Sequence, residues 1–262
     1  MIISRKMTVS AFALGLCMFF AAGITAAQQK SSDPVFASPV YQCKVFDRYL
    51  KNSGLMKLTL DGKTLIANNR MFATLKDADG KEFGLTEKTA PEYEWKNNVL
   101  TSRKTLTTKD AKAEPYAEVS RKYVFTPDKV TCEIIVKNLK ELTVSQPWKV
   151  FTEESYIPTA AITGMRADGI IVNGQPCSTV IPLKFDKKKW GFHKYMKTIK
   201  LTGSGRKTIT ITAGPGCQVL LGHYGFKNIY LDVIPVIKFP ELKQKAGQET
   251  RISYTIEFGK AE

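Results

Sequence analysis

Apolar and polar residues alternate with a period of two through most of the chain from Tyr41 on, the pattern of half-buried β-strands whose side chains point in turn to core and solvent. Leu55 to Leu60 and Lys63 to Ala67 flank Asp61-Gly62, a dipeptide that tolerates the positive φ angles of a tight primed turn and so predicts a hairpin. Arg70 to Lys76 reads as a further strand, turned back by Asp77-Ala-Asp-Gly80. Tyr116 to Phe125 and Val130 to Asn138 are joined by Thr126-Pro127-Asp128-Lys129, whose proline presets a turn; Val130, Cys132, Ile134 and Val136 share one face. Hairpins are also expected at Asn173-Gly174 and around Gly203-Ser-Gly-Arg206. Further strands are expected at Val219 to Leu221, Asn228 to Val233, and Glu249 to Phe258, where Ile252, Tyr254, Ile256 and Phe258 alternate with polar neighbours. The strongest helical stretches, Thr107 to Glu114 and Asp186 to Lys197, are short and lack a sustained apolar stripe. About fifteen strands with turns at short spacing predict an all-β fold, a large antiparallel sandwich with few or no helices.

The N-terminus departs from this pattern. Arg5 and Lys6 precede an apolar run from Met7 to Ile24 that ends in Thr25-Ala26-Ala27, the charged region, apolar stretch and small-residue cut site of a secretory signal peptide. Residues 1–27 are therefore expected to be removed, 28–40 to form a polar lead-in, and 41–262 to fold as one domain with no membrane span. Export to a periplasmic or extracellular space follows, with a bacterial envelope slightly favoured because none of the eight asparagines lies in a glycosylation sequon. Loss of the segment removes two basic residues and no acid, lowering the formal charge from +15 to +13. Cys43, Cys132, Cys177 and Cys217 remain, an even number that in an oxidising compartment predicts two disulfides of unspecified pairing, with buried free thiols as the alternative. No cysteine pair has metal-ligand spacing, so neither metal nor cofactor is expected.

Two segments resemble a known family. Tyr123-Val-Phe-Thr-Pro-Asp-Lys-Val-Thr-Cys-Glu-Ile-Ile-Val-Lys-Asn138 resembles the central hairpin of galactose-mutarotase-like supersandwich domains. Lys245-Ala-Gly-Gln-Glu-Thr-Arg-Ile-Ser-Tyr-Thr-Ile-Glu-Phe258 is similar to their closing strand. Together they cover about an eighth of the exported chain. The resemblance implies a supersandwich and a carbohydrate context, since such domains occur as sugar epimerases and in polysaccharide-degrading enzymes. In mutarotases a histidine acid and a glutamate base act on the sugar, but neither histidine here aligns to the family's catalytic motifs, and no residue is carried over as catalytic.

The candidate chemistry is sparse. His193 lies among Trp190, Lys194 and Tyr195, where aromatic rings can stack on sugars and cations can hold hydroxyls or carboxylates. His223, between Gly222 and Tyr224, could pair with Glu153 or Glu154 as acid and base, although strand alternation sends these two adjacent carboxylates to opposite faces. Trp148 and Tyr224 are additional ligand-stacking candidates. Basic residues at Arg103, Lys104, Arg121, Lys122 and Lys187 to Lys200 are read as surface charge. In an exported protein this favours an anionic polysaccharide or envelope polymer over nucleic acid. The leading expectation is a carbohydrate-recognising sandwich without its own chemistry. The alternatives are a mutarotase-like epimerase or lyase relative with a His/Glu pair, and a structural envelope protein presenting an exposed sheet edge or apolar patch.

Overall fold

The computed structural model describes residues 36–45, 56–87, 92–108, 114–144, 151–184, 186, 192, 194–223, 228–236 and 243–261. The expected signal peptide, most of the lead-in, Trp148, Trp190, His193 and Tyr224 lie outside these residues. A small sheet is built from β1 (Phe36–Ala37), β2 (Tyr41–Val45), β3 (Met56–Leu60) and β4 (Lys63–Ile66), in that order. The remaining strands are β5 (Asn68–Lys76), β6 (Glu82–Glu87), β7 (Glu92–Lys96), β8 (Val99–Thr108), β9 (Pro115–Thr126), β10 (Lys129–Asn138), β11 (Leu142–Val144) and β12 (Phe151–Pro158). After a single helical turn, α1 (Thr159–Ile162), come β13 (Arg166–Ile171), β14 (Pro176–Val180), β15 (Met196–Thr202), β16 (Lys207–Ala213), β17 (Cys217–His223), β18 (Asn228–Pro235), β19 (Lys243–Gln244) and β20 (Glu249–Ala261).

All pairings are antiparallel, and eleven strands close on themselves in the order β12-β18-β17-β15-β16-β20-β10-β9-β8-β6-β5, with β5 pairing back to β12. Closure leaves no free edge in the circuit. The hairpins predicted at Asp61-Gly62, Thr126 to Lys129, Asn173-Gly174 and Gly203 to Arg206 are all present. Asp61 and Gly62 adopt φ of 48° and 72°, as the primed turn requires. The inward row Val130, Cys132, Ile134, Val136 is buried, and its partners Ile252, Tyr254 and Ile256 on β20 are buried opposite it. Of the two stretches with the strongest helical pattern, Thr107 and Thr108 belong to β8 and Met196 and Lys197 to β15, where neighbouring strands supply ladder partners; residues 109–113, 187–191 and 193 lie outside the described residues.

The two segments that carry the family resemblance meet. The backbone N–H of Asn138 donates to Gln248 O at 3.0 Å and Gly247 N–H donates to Asn138 O at 2.8 Å, so the end of the central hairpin is tied to the turn entering the closing strand. The Asn138 side chain adds a bond to Gln244 Oε1 at 3.0 Å. The small sheet is fastened to the same hairpin: the Tyr41 hydroxyl lies 2.7 Å from Thr126 O and 2.8 Å from Lys129 O, and Phe36 stacks on Phe125.

The four described cysteines are free thiols, so the expected disulfides are not formed. Each occupies a different strand and faces something other than a cysteine: Leu58 beside Cys43, Tyr123 and Tyr254 beside Cys132, Gly169 beside Cys177, Pro235 beside Cys217. A disulfide needs Cα atoms within about 7 Å and converging Cβ vectors, which this arrangement does not offer. Burial pushes the Cys132 thiol well above its ordinary range, and it behaves as a small core residue.

Two basic residues assigned to the surface are instead inside. Arg121 falls in the inward row Val119, Arg121, Tyr123, Phe125, and Lys104 in the inward row Leu100, Ser102, Lys104, Leu106. Arg121 Nη2 bonds Glu87 and, 3.1 Å away, Glu153 Oε2. Lys104 Nζ lies 3.3 Å from Glu87 Oε2; Asn69 Nδ2 and the Tyr123 hydroxyl donate to Glu153 Oε1 at 2.7 and 3.1 Å. Strand β9 is four steps from β12 around the circuit, so Arg121 and Glu153 meet across the interior and join opposite walls. Burial alone would raise the Glu87 pKa, but Arg121 and Lys104 outweigh it and hold this carboxyl below the usual range. At Glu153 burial prevails over Arg121, and the carboxyl is raised.

Replacing Arg121 by Met is expected to destabilise the protein by about 3–5 kcal/mol in urea titrations, because two buried carboxylates lose their shared cation. A loss under about 1 kcal/mol would contradict the network's role. A depressed carboxyl stabilises above its unfolded pKa and loses that contribution as pH falls through its folded value. The stability deficit of Glu87→Gln should therefore be largest at neutral pH and shrink as pH falls through the carboxylate range. A deficit that grew on acidification would contradict the assignment. Alkylation without reductant, mapped by peptide mass, should leave Cys43 and Cys132 unmodified in the folded protein and modify all four thiols after unfolding.

Candidate functional site

Strand β12 carries Glu153 inward and, one residue on, Glu154 outward, as alternation predicts. The outward face of β12 and its neighbours is assembled by register. Glu154 lies opposite Arg70 on β5 and Asp232 on β18; Tyr156 lies opposite Tyr230; Asp232 and Tyr230 lie opposite Leu220 and Gly222 on β17. Side chains at directly opposed positions stand on one face within contact range. Glu154 Oε1 accepts from Arg70 Nε at 3.0 Å and from Nη2 at 2.8 Å. The Arg70 guanidinium also sits 5.1 Å from the centre of the Tyr156 ring, and Tyr156 meets Tyr230 edge-on at 5.0 Å.

This face is polar yet substantially covered. Glu154 and Asp232 are 8% and 1% exposed, whereas the Arg70 side chain is 29% exposed and the two tyrosines are half-buried. Burial, followed by a hydrogen bond to Glu154 and its charge, raises the Tyr156 hydroxyl; burial and then the charges of Glu154 and Asp232 raise Tyr230. Tyr195 belongs to the same neighbourhood: burial raises its hydroxyl, and the charge of Asp232 adds to the effect. All three phenols therefore remain protonated donors at neutral pH beside two carboxylate acceptors and one guanidinium. The set offers both halves of a hydrogen bond to vicinal hydroxyl groups, with tyrosine rings to flank an apolar ring face.

Of the residues singled out from sequence, Glu154 and Tyr195 are in this cluster. Exposed Lys194 adjoins Tyr195, and Glu153 belongs to the interior network. His223 is buried on the core face of β17, in line with Val219 and Leu221, and burial lowers its pKa. Glu154 faces the other way, and the register sets Glu153 two strands and four residues from His223, roughly 10 Å across and 13 Å along the sheet. The structure thus does not bring His223 together with either carboxylate. Arg70, Tyr156, Tyr230 and Asp232 were not singled out from sequence. Their signal was present in Ile229-Tyr-Leu-Asp-Val233, where alternation gives one apolar face and one face bearing a phenol and a carboxylate.

Other concavities are built differently. One of about 520 Å³ lies over the outer face of β7 to β10 between Glu92, Glu94, Arg103, Lys122 and Glu133. Its charges are surface charges, with Arg103 ion-paired to Glu118. Among the described residues no group of His, Cys, Asp and Glu is arranged to hold a metal ion, and no helix is long and apolar enough to cross a membrane.

No family model and no curated relative matches this chain. Solved structures do. A galactose mutarotase-like protein from Lactobacillus casei ATCC 334 superposes with a TM-score of 0.52 at 11% identity, over 85% of this chain and 98% of that one. The Slr1438 protein from Synechocystis sp. PCC 6803 superposes with a TM-score of 0.53 at 11% identity, over 84% and 92%. The likeness extends over nearly the whole length of both neighbours, and the chain has the fold of galactose mutarotase-like proteins.

Proposed function

We propose that this protein is exported and recognises carbohydrate on the outer face of β5, β12 and β18. The observation that carries this reading is the Arg70–Glu154 fork with Asp232 beside it and Tyr156, Tyr230 and Tyr195 around it. A carboxylate fixed by a guanidinium on a face that is not the core keeps acceptor capacity for further hydrogen-bond donors. Sugar hydroxyls are donors and acceptors at the spacing such a set can meet, and the phenol rings suit the C–H face of a pyranose. The signal-peptide pattern supports export, and the fold shared with a protein described as galactose mutarotase-like supports a sugar ligand. Exposed Lys194 and Lys197 flank Tyr195, and with the net charge of +13 left after removal of residues 1–27 they favour a polymer bearing anionic groups beyond the unit held at the fork, such as an acidic polysaccharide or envelope glycan. The protein acts as a binding module in this reading.

A second reading is favoured by one feature. Glu154 and Asp232 are direct cross-strand partners on one face, and two converging carboxylates can serve as acid and base in sugar epimerisation. One set of measurements separates the two. Affinity electrophoresis through gels containing a neutral or an acidic polysaccharide should show retardation that weakens with salt for the acidic gel. Glu154→Gln and Asp232→Asn should each weaken binding about tenfold or more, the loss of a charge-assisted hydrogen bond, in protein whose circular dichroism at the binding temperature remains that of the folded state. No retardation in any gel at low salt would sink the proposal. Polarimetry on freshly dissolved α-D-galactose should show no acceleration over the spontaneous rate; acceleration lost in Glu154→Gln would establish the epimerase instead.

A further inference from the structure

Strand β14 leaves the closed circuit and pairs only with β13 among the described strands, so one of its edges faces outward. Backbone bonds fix which groups line that edge. Ile181 N–H donates to Met165 O, Gly164 N–H to Ile181 O, and Ile171 N–H to Gln175 O, so the odd-numbered residues from Gln175 to Ile181 turn their N–H and C=O toward β13. The even-numbered residues Pro176, Ser178 and Val180 therefore turn theirs outward. Pro176 has no N–H to offer, and its proline costs the β13 ladder nothing.

Three further observations concern the same hairpin. Of the six large apolar residues exposed among the described residues, four belong to it or to the segment that follows: Ile170 at 48%, Val172 at 37%, Val180 at 62% and Leu183 at 63%. No residue from Ile170 to Leu183 is charged, in a chain with 39 Lys and Arg and 24 Asp and Glu. Beside it, Arg166 is neutralised by Asp168 at 2.8 Å. Proteins ordinarily guard an open sheet edge with lysines or inward-pointing charges, and β14 has neither.

We propose that β14 pairs with β14 of a second copy of this chain, antiparallel about a two-fold axis at Ser178. The edge is self-complementary in that register. Ser178 N–H meets the partner's Ser178 carbonyl and the reverse, and Val180 N–H meets the partner's Pro176 carbonyl, so each outward donor finds an acceptor and the missing proline N–H leaves no acceptor stranded that water cannot reach. On the outer face Val180 then lies beside the partner's Pro176, itself opposite Ile170, which makes an apolar row across the axis. Shifting the register by one residue in either direction places inward-turned groups against outward-turned ones and loses these bonds. The edge itself sets no charged side chain of β14 against another when two copies meet, whereas an acidic partner would find no cation on β14 to engage. The resulting interface is isologous, as two-fold pairing requires, and of the small size that gives reversible association.

Sedimentation equilibrium of the purified protein between about 1 µM and about 1 mM should show a concentration-dependent rise toward twice the monomer mass, the span in which small interfaces associate. Val180→Lys places a guarding charge on the edge, and Val180→Pro keeps an apolar side chain while removing an outward N–H that β13 does not use. Each should weaken self-association roughly tenfold or more while leaving the circular-dichroism melt unchanged. A wild-type protein that stays monomeric throughout, or self-association that both variants retain, would overturn the proposal.

Discussion

The pairing of β12 between β5 and β18 closes the sheet, and the two-residue period of that strand then decides the fate of two adjacent carboxylates. Glu153 turns inward to a buried guanidinium, and Glu154 turns outward to a half-exposed one. A slip of β12 by one residue would exchange them, setting Glu154 against the interior network and Glu153 against Arg70, while Phe151, Ser155 and Ile157 would leave the core. Interior stability and the outer site are thus specified by the same register.

The interior network is an uncommon way to hold two walls of a sandwich. Arg121 spends bonds on Glu87 and Glu153 from different parts of the circuit, and Asn69 and Tyr123 complete the shell of Glu153. Buried ion pairs often contribute little net stability over a well-packed apolar core, because desolvation offsets attraction. Their cost when mismatched is large, which makes such a network a device for registry: the closed arrangement of β5, β6, β8, β9 and β12 is what brings its members together. The opposed shifts of Glu87 and Glu153 fit this view, since two cations compensate one carboxylate fully and the other in part.

The fold was legible where side chains alternate cleanly. The hairpin between β9 and β10 was placed within a residue and the start of β20 at its own residue, because their apolar rows and turn residues agree; β20 runs three residues past the expected end at Phe258. What failed were judgements that treat residue type apart from row. Lys104 and Arg121 were read as surface charge although each stands in a row whose other residues are buried. The cysteine count was read as disulfides although each thiol's cross-strand neighbours are other residues. The site was legible only in fragments. Glu154 and Tyr195 are visible as polar residues in suggestive company, but the convergence of Arg70, Tyr156, Tyr230 and Asp232 depends on the pairing of β12 with β5 and with β18, which sets Glu154 opposite Arg70, 84 residues before it, and Asp232, 78 residues after it, and which no local pattern contains.

The central claim is that carbohydrate is bound on the outer face around the Arg70–Glu154 fork. It is tested most directly by tyrosine-labelled NMR during titration with a soluble oligosaccharide drawn from a polysaccharide that retards the protein. The account predicts ring-resonance shifts at Tyr156, Tyr230 and Tyr195, with Tyr93 and Tyr116 unmoved. Shifts confined to Tyr93 and Tyr116, or saturation of binding with no change at Tyr156 and Tyr230, would contradict it.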